Sequence, residues 1–173
     1  MRMKTILAVI LASVLALAGC GISSKSKTLS SNASTATNVA GLSMKISDAA
    51  RIRMRDNPGF KEDQLQSTIK DDLTKRKLLL SSSKQTLDVN VTDLRVRNGA
   101  AVYFGGVFAG NDFVVADVIV KDAAGNILKS SQINVTFRAA SWGSIGTAAR
   151  NAQMYETFAR HVAAVVDPSI SVE

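Results

Sequence analysis

The spacing of apolar residues changes several times along the chain and predicts both strands and helices. Apolar and polar positions alternate, as in a half-buried strand, in four segments: residues 42–46, 86–97, 112–122 and 127–139. Apolar residues recur at helical spacing in two segments: residues 61–79 and 148–166. This order predicts an α+β fold, with a three- to four-stranded, mainly antiparallel sheet and two helices on one face.

Local features refine this pattern. Ile52 and Met54 alternate with arginines and extend the first strand after a short break. In the second strand the apolar phase slips by one residue after Val91, which predicts a β-bulge. Asp122–Asn126 predicts a tight turn between the last two strands, and Thr147 is the predicted N-cap of the last helix.

The first 20 residues have the pattern of an export signal. Arg2 and Lys4 form a short basic head, and the apolar run of residues 6–18 is too short to cross a membrane as a helix. Cys20, the only cysteine of the chain, follows directly after Leu-Ala-Gly. The chain therefore has no cysteine left for a disulfide or a cysteine-based metal site if Cys20 is modified.

The run Leu17-Ala18-Gly19-Cys20 resembles the lipobox of bacterial lipoproteins. The resemblance implies that residues 1–19 are a lipoprotein signal peptide and that Cys20 carries a diacylglycerol on its sulfur and is acylated on its new N-terminus. Two or more acyl chains hold a protein stably on a membrane. Gly21, not aspartate, follows Cys20, which by the sorting rules of double-membraned bacteria implies an outer-membrane lipoprotein that faces the periplasm.

Composition divides the remainder of the chain into two parts. Residues 20–38 are mostly serine, threonine, asparagine and alanine, and we predict a lipidated flexible tether there. Residues 39–173 are predicted to form a single α+β domain of a size that supports one core. The chain carries a net charge of +7, which favours anionic surfaces. Its basic residues are not gathered with aromatic residues, so we predict no nucleic-acid partner.

The sequence offers no convincing catalytic or metal-binding set. His161 is the only histidine, and neither a serine nor an acid stands near it at a suggestive spacing, so we expect a surface or half-buried helical histidine. Ser144 lies in a sequence that only faintly resembles a nucleophile elbow, because Trp142 stands where that motif needs glycine. We predict no enzymatic activity and no cofactor.

The uncharged, glycine-rich segment Gly99–Gly110 is open to three interpretations. It can be an inter-strand connection whose glycines permit a positive φ, an exposed apolar patch that binds a partner or lipid, or a pore-forming hairpin. It lacks the lysine of a phosphate-binding loop and is too short to span a membrane as a helix. The residues predicted as possible partner contacts are Tyr103, Phe104, Val107, Phe108 and Trp142.

A second resemblance covers residues 95–166. The stretches RVRNGAAVYFGGVFAG, VADVIVKDAAGNIL and MYETFARHVAAVV resemble a family of small bacterial lipoproteins known only as a domain of unknown function. That family has no assigned activity, so the resemblance implies no catalytic residues. The order of elements is also similar to that of envelope lipoproteins of the curli-secretion and penicillin-binding-protein-activator type.

These observations predict a lipid-anchored envelope lipoprotein. We expect a non-enzymatic binding or scaffold module that contacts the membrane through the lipid on Cys20 and binds an unidentified envelope protein. The alternative is an oligomeric export or pore-associated lipoprotein that uses Gly99–Gly110.

Overall fold

The computed structural model describes residues 21–31, 38–97, 110–138 and 146–172, which form a five-stranded sheet and three helices. The predicted α+β class is confirmed, but the sheet has five strands, not three or four. The strands are β1 Gly21–Ser31, β2 Gly41–Ile46, β3 Thr86–Arg95, β4 Asp112–Lys121 and β5 Ile127–Arg138, and the helices are α1 Asp48–Arg55, α2 Glu62–Lys75 and α3 Thr147–Val166.

The strand order in the sheet is β1-β5-β4-β3-β2. The β1–β5, β5–β4 and β4–β3 pairs are antiparallel, and β2 runs parallel to β3. Parallel neighbours need a crossover connection, which α1 and α2 supply between β2 and β3. The sheet is therefore mainly antiparallel, as predicted, with one parallel pair at an edge.

Strand β1 occupies most of the segment predicted as a flexible tether, and that part of the prediction is wrong. Gly21 pairs with Arg138, and the pairing with β5 continues to the Ser31–Lys129 pair, with one irregularity between Thr28 and Ser30. Strand pairing uses backbone N–H and C=O groups, so a chain rich in serine and lysine can pair wherever a neighbouring edge is open. Residues 21–31 therefore belong to the sheet.

Helix α1 replaces the predicted continuation of the first strand through Ile52 and Met54. The Ser47 hydroxyl accepts a hydrogen bond from the Ala50 backbone N–H at 3.2 Å, which caps the helix N-terminus. Asp48 lies in the first turn and Arg55 in the last, an order that suits the helix dipole. The Ser47 cap and these charges stabilise a helix, and the alternation of Ile52 and Met54 with arginines is too short to favour a strand over it.

One hydrophobic core lies between the sheet and the helices. Every second residue of β4, from Asp112 to Val120, is buried, and the alternation is equally regular in β3 until the register shifts between Val91 and Asp93. This shift confirms the predicted bulge. The helical stripes also face the core as predicted: Leu65, Ile69 and Leu73 on α2, and Met154, Phe158, Ala159, Val162 and Val165 on α3.

The two predicted boundary features have different outcomes. The Asp122–Asn126 turn is confirmed: the Asp122 backbone N–H donates to the Asn126 carbonyl at 3.0 Å, and Gly125 has a φ of +86°. Thr147 is not the N-cap of α3, because the helix already begins at Thr147 and Gly146 occupies the cap position without a side-chain hydrogen bond.

Candidate functional site

Several ends of elements meet at one end of the sheet, which we call the Gly21 end. There β1 begins at Gly21 opposite Arg138, the last residue of β5. Asp112, the first residue of β4, lies opposite Phe137, and Arg95 ends β3 opposite Phe113. The other end of the sheet, which we call the hairpin end, carries the Asp122–Asn126 turn.

A buried cluster of Arg97, Asp112 and Arg150 lies at the Gly21 end. Asp112 is fully buried, and the exposed fractions of Arg97 and Arg150 are 5% and 1%. The Asp112 Oδ1 atom accepts hydrogen bonds from the Arg97 backbone N–H at 3.0 Å and from Arg97 Nε at 2.7 Å. Arg150 Nε lies 2.7 Å from Asp112 Oδ2, and Arg150 Nη2 donates to the Arg97 carbonyl at 2.6 Å.

The contact between Arg150 and Asp112 is an ion pair and not a well-aligned hydrogen bond. Although Arg150 Nε and Asp112 Oδ2 are 2.7 Å apart, neither atom has a hydrogen-bond partner of acceptable angle within the described part of the chain. The short distance still gives a strong attraction, because Coulomb attraction between buried charges does not need a linear geometry.

The topology explains how three residues that are distant in sequence come together. Arg97 follows β3 by two residues, and Asp112 points toward the core because it shares the inward face of β4. Arg150 lies in the first turn of α3, which packs against that face of the sheet. The cluster therefore ties the end of β3, the start of β4 and the start of α3 to one another.

The charge of this cluster is not balanced. Two guanidinium groups share one carboxylate, and Nη1 and Nη2 of Arg97 have no hydrogen-bond partner within the described residues. Burial lowers the pKa of Arg150, the Asp112 carboxylate raises it, and Arg97 lowers it further. Guanidinium groups stay protonated in proteins, so these residues can hold an oxyanion or a carbonyl but cannot transfer protons.

Most of the sequence-predicted site residues lie outside the described residues. This holds for Cys20, Tyr103, Phe104, Val107, Phe108 and Trp142, and for Ser144. The structure describes the chain up to Arg97 before this segment and again from Gly110, its last residue. Gly110 has a φ of +76°, as the predicted connection permits, and a Cβ atom there would lie 2.7 Å from Arg95 Nη1.

His161 is buried and does not lie on the surface, so the prediction of an exposed or half-buried histidine is wrong. Its exposed fraction is 4%, and it borders a small cavity of about 160 Å³ together with Lys129, Ser131 and Thr28. Burial and, to a smaller extent, nearby Arg160 lower the pKa of the imidazole. The Lys129 ammonium donates to the Val166 carbonyl at 3.1 Å and so meets the C-terminus of α3.

The described residues contain neither a candidate metal site nor a candidate membrane helix. No group of three or more histidine, cysteine, aspartate or glutamate side chains there is placed to hold a metal ion. In the same part of the chain, no helix is long and apolar enough to span a bilayer.

The arginine–aspartate cluster was missed in the sequence, although a weak signal for it exists. Arg97 and Asp112 carry opposite charges and stand directly on either side of the uncharged stretch from Asn98 to Asn111. Such a pair can close the base of a connection between antiparallel strands. Nothing in the sequence singles out Arg150 as the third member, because its position depends on how α3 packs.

Comparison with known proteins gives likenesses in solved structures alone. No protein-family model and no curated protein matches the chain. PelC of Paraburkholderia phytofirmans, a dodecamer, covers 84% of this chain and 98% of its own, with a TM-score of 0.44 and 13% identity. A point variant of PelC gives the same coverage with a TM-score of 0.49 and 12% identity.

A further likeness is to a minor lipoprotein from Acinetobacter baumannii. It has a TM-score of 0.40 and 14% identity, and the match covers 72% of this chain and 89% of that one. Likenesses of this strength carry no conclusion about the function of this chain.

Proposed function

We propose that the protein is a lipid-anchored lipoprotein of the bacterial envelope that acts as a non-enzymatic binding module for another envelope component. One observation carries the proposal. Strand β1 pairs with β5 from Gly21 onward, and Gly21 directly follows the lipobox cysteine, so cleavage before Cys20 would leave every described pair of the sheet in place. An outer-membrane location facing the periplasm follows from the residue after Cys20 and belongs to the same proposal.

The chemistry of the described polar groups favours binding over catalysis. The buried cluster consists of two permanently charged guanidinium groups and one carboxylate that is held between them. His161 is buried, and its pKa is lowered by that burial. Other ion pairs, such as Lys121–Asp88 at 2.6 Å, are partly exposed and lie on the surface.

Acyl labelling of Cys20 tests the anchor. We expect the wild-type chain to incorporate labelled fatty acid and to fractionate with membranes, and Cys20→Ser to lose both properties. A matched control carries Cys20→Ser together with Ser26→Cys, which returns a thiol to the chain six residues beyond the predicted cleavage site. Labelling that persists in Cys20→Ser, or returns in the control, contradicts the proposed lipidation.

Affinity capture from detergent-solubilised envelopes tests the binding role. We expect wild-type bait to retain an envelope protein that is lost with the double variant Phe104→Asp and Phe108→Asp in the predicted contact segment. The control is Leu29→Asp, which places one of these negative charges on an exposed apolar side chain of β1 at the hairpin end. Equal recovery by all three baits would show that residues 99–110 are not the contact.

The same purified protein tests the alternative of an oligomeric export component. A large, stable oligomer in detergent that conducts ions in planar bilayers would favour that alternative. A monomer without conductance would favour the binding module.

A further inference from the structure

We propose that the Gly21 end of the sheet, together with helix α1, docks on the anionic headgroups of the membrane that holds the lipid anchor. The sheet then stands upright on the bilayer, with the hairpin end away from it. This inference rests on the proposed lipidation of Cys20 and adds an orientation and a lipid-contacting surface to it.

No linker separates Cys20, which would carry the lipid, from Gly21, the first residue of β1. Consecutive Cα atoms are about 3.8 Å apart, so the residue that would carry the lipid is fixed next to Gly21. Gly21 is itself paired with Arg138, and β1 stays paired along its length. A bilayer that holds the lipid must therefore lie close to the first residues of β1 and the last residue of β5.

Helix α1 is positioned at the same end of the sheet, near the edge opposite β1. Arg53 Nε lies 2.9 Å from Asp93 Oδ1, close to the end of β3. Just after the helix, the Asn57 side-chain oxygen accepts a hydrogen bond from the Val96 backbone N–H at 2.9 Å. Strand β3 is three strand spacings from β1, about 14 Å, so the anchor and α1 can reach one flat surface together.

The exposed side chains of α1 suit a membrane interface. Ile52 is 63% exposed, which is the highest value among the exposed large apolar residues of the described chain. Arg51, Arg53 and Arg55 are exposed on either side of it. An apolar side chain among arginines is typical of helices that lie in the headgroup region, where the aliphatic stems also contact lipid.

The charge at the Gly21 end complements anionic lipid. Arg95 and Arg138 are exposed at the ends of β3 and β5, and the buried cluster adds one net positive charge behind them. Each basic residue near an anionic surface contributes about 1 kcal/mol to membrane attraction. Asp48 and Asp56 oppose this attraction, and Arg53 and Asp93 neutralise each other, so the net positive charge of this end comes from Arg95, Arg138 and the buried cluster.

A lipid surface fits these features better than a second copy of the chain. A stable protein interface buries about 800 Å² on each partner with an apolar centre. The described part of the Gly21 end offers one exposed isoleucine on a surface of net positive charge, and such a surface gains more from anionic headgroups.

Fluorescent labels on the lipidated, full-length mature protein test the orientation. Ile52→Cys on α1 and Ala123→Cys in the hairpin turn each introduce the one free thiol for an environment-sensitive NBD label, because the Cys20 sulfur is blocked by its diacylglycerol. A strand of twelve residues is roughly 36 Å long, so an upright sheet holds the second label well clear of the bilayer. The protein is reconstituted in vesicles that contain phosphatidylglycerol.

We expect the label at position 52 to be several-fold brighter in these vesicles than in buffer without lipid vesicles. We also expect nitroxide-bearing lipids to quench it. The label at position 123 should be quenched by aqueous iodide and not by the lipids. The double variant Arg51→Glu and Arg55→Glu should reduce the fluorescence of the label at position 52. Replacing the phosphatidylglycerol vesicles with phosphatidylcholine vesicles should reduce it as well. Equal iodide quenching at both positions, or lipid quenching at position 123, would overturn the docking proposal.

The failure of the anchor and the failure of docking give different results. If acyl labelling and vesicle association are both lost, the proposed lipidation is wrong. If the protein is acylated and vesicle-bound while the label at position 52 stays in water, the anchor holds and the docking surface is wrong. A circular dichroism spectrum equal to that of wild type confirms that each labelled variant is folded.

Discussion

Replacement of Asp112 by asparagine removes the negative charge that lies between two buried guanidinium groups. The side-chain oxygen of asparagine can still accept the two hydrogen bonds from Arg97 that Oδ1 accepts in the native protein. The new amide group would take the place of Oδ2 and direct N–H donors at Arg150 Nε, which lies only 2.7 Å from Oδ2. The shape of the side chain is conserved, so the change isolates the electrostatic contribution.

The expected loss is large because the two cations cannot escape to water. Removal of one partner of a buried ion pair costs about 3–5 kcal/mol, against a total stability of about 5–15 kcal/mol for a domain. For a chain of this size, each kcal/mol lowers the melting temperature by about 2–4 °C. We therefore expect Asp112→Asn to melt on the order of 10 °C below wild type, or not to fold at all.

A neighbouring strand provides a matched control. Asp88 on β3 pairs with Lys121 at 2.6 Å, and these side chains are 36% and 33% exposed. Because exposed pairs contribute about 0–1 kcal/mol, Asp88→Asn should be nearly neutral. The measurement is urea and thermal unfolding, followed by circular dichroism. Similar losses in the two variants, or a loss below about 1 kcal/mol for Asp112→Asn, would refute the role of the buried charge.

Further predictions concern other buried groups. Burial lowers the pKa of His161 in the folded state, so as the pH falls below about 6.5 the unfolded chain binds a proton before the folded chain does. The free energy of unfolding should therefore decrease as the pH falls through this range. His161→Gln should flatten this pH dependence in unfolding titrations. Burial raises the pKa of Tyr155 to about 12, so ultraviolet titration should show a late phenolic transition that Tyr155→Phe removes. Tyr155→Phe should also cost about 1–3 kcal/mol, since the hydroxyl accepts the Lys61 backbone N–H at 2.9 Å; an unchanged unfolding midpoint would contradict this.

Much of the fold could be predicted from the sequence, because the regularly spaced apolar residues of the central strands and the two long helices are the residues that become buried. Strand β1 could not be predicted in this way. Its side chains carry little apolar signal, and it is a strand because the edge of β5 offers unpaired backbone groups. Helix α1 illustrates the opposite error, in which a short alternation was given more weight than the capping serine Ser47 before it.

The predictability of the polar groups varies in the same way. His161 lies seven residues after Met154, which places both on one face of α3, so its burial was readable from the sequence. The Arg97–Asp112–Arg150 cluster depends on the register that sets Asp112 beside Phe137 and on the packing of α3. Register and packing are properties of the whole chain, and no local pattern encodes them.

The pairing of β1 with β5 also determines where the chain can be shortened. A truncation that removes the residues before 38 would be tolerated if they were a flexible tether. Because it would also remove β1, it would leave the backbone groups along the edge of the twelve-residue strand β5 unpaired. Long unpaired edges recruit strands from other molecules and so lead to aggregation. Because Gly21 pairs with Arg138, β1 is synthesised before the other strands but can take its place in the sheet only after β5 has been made.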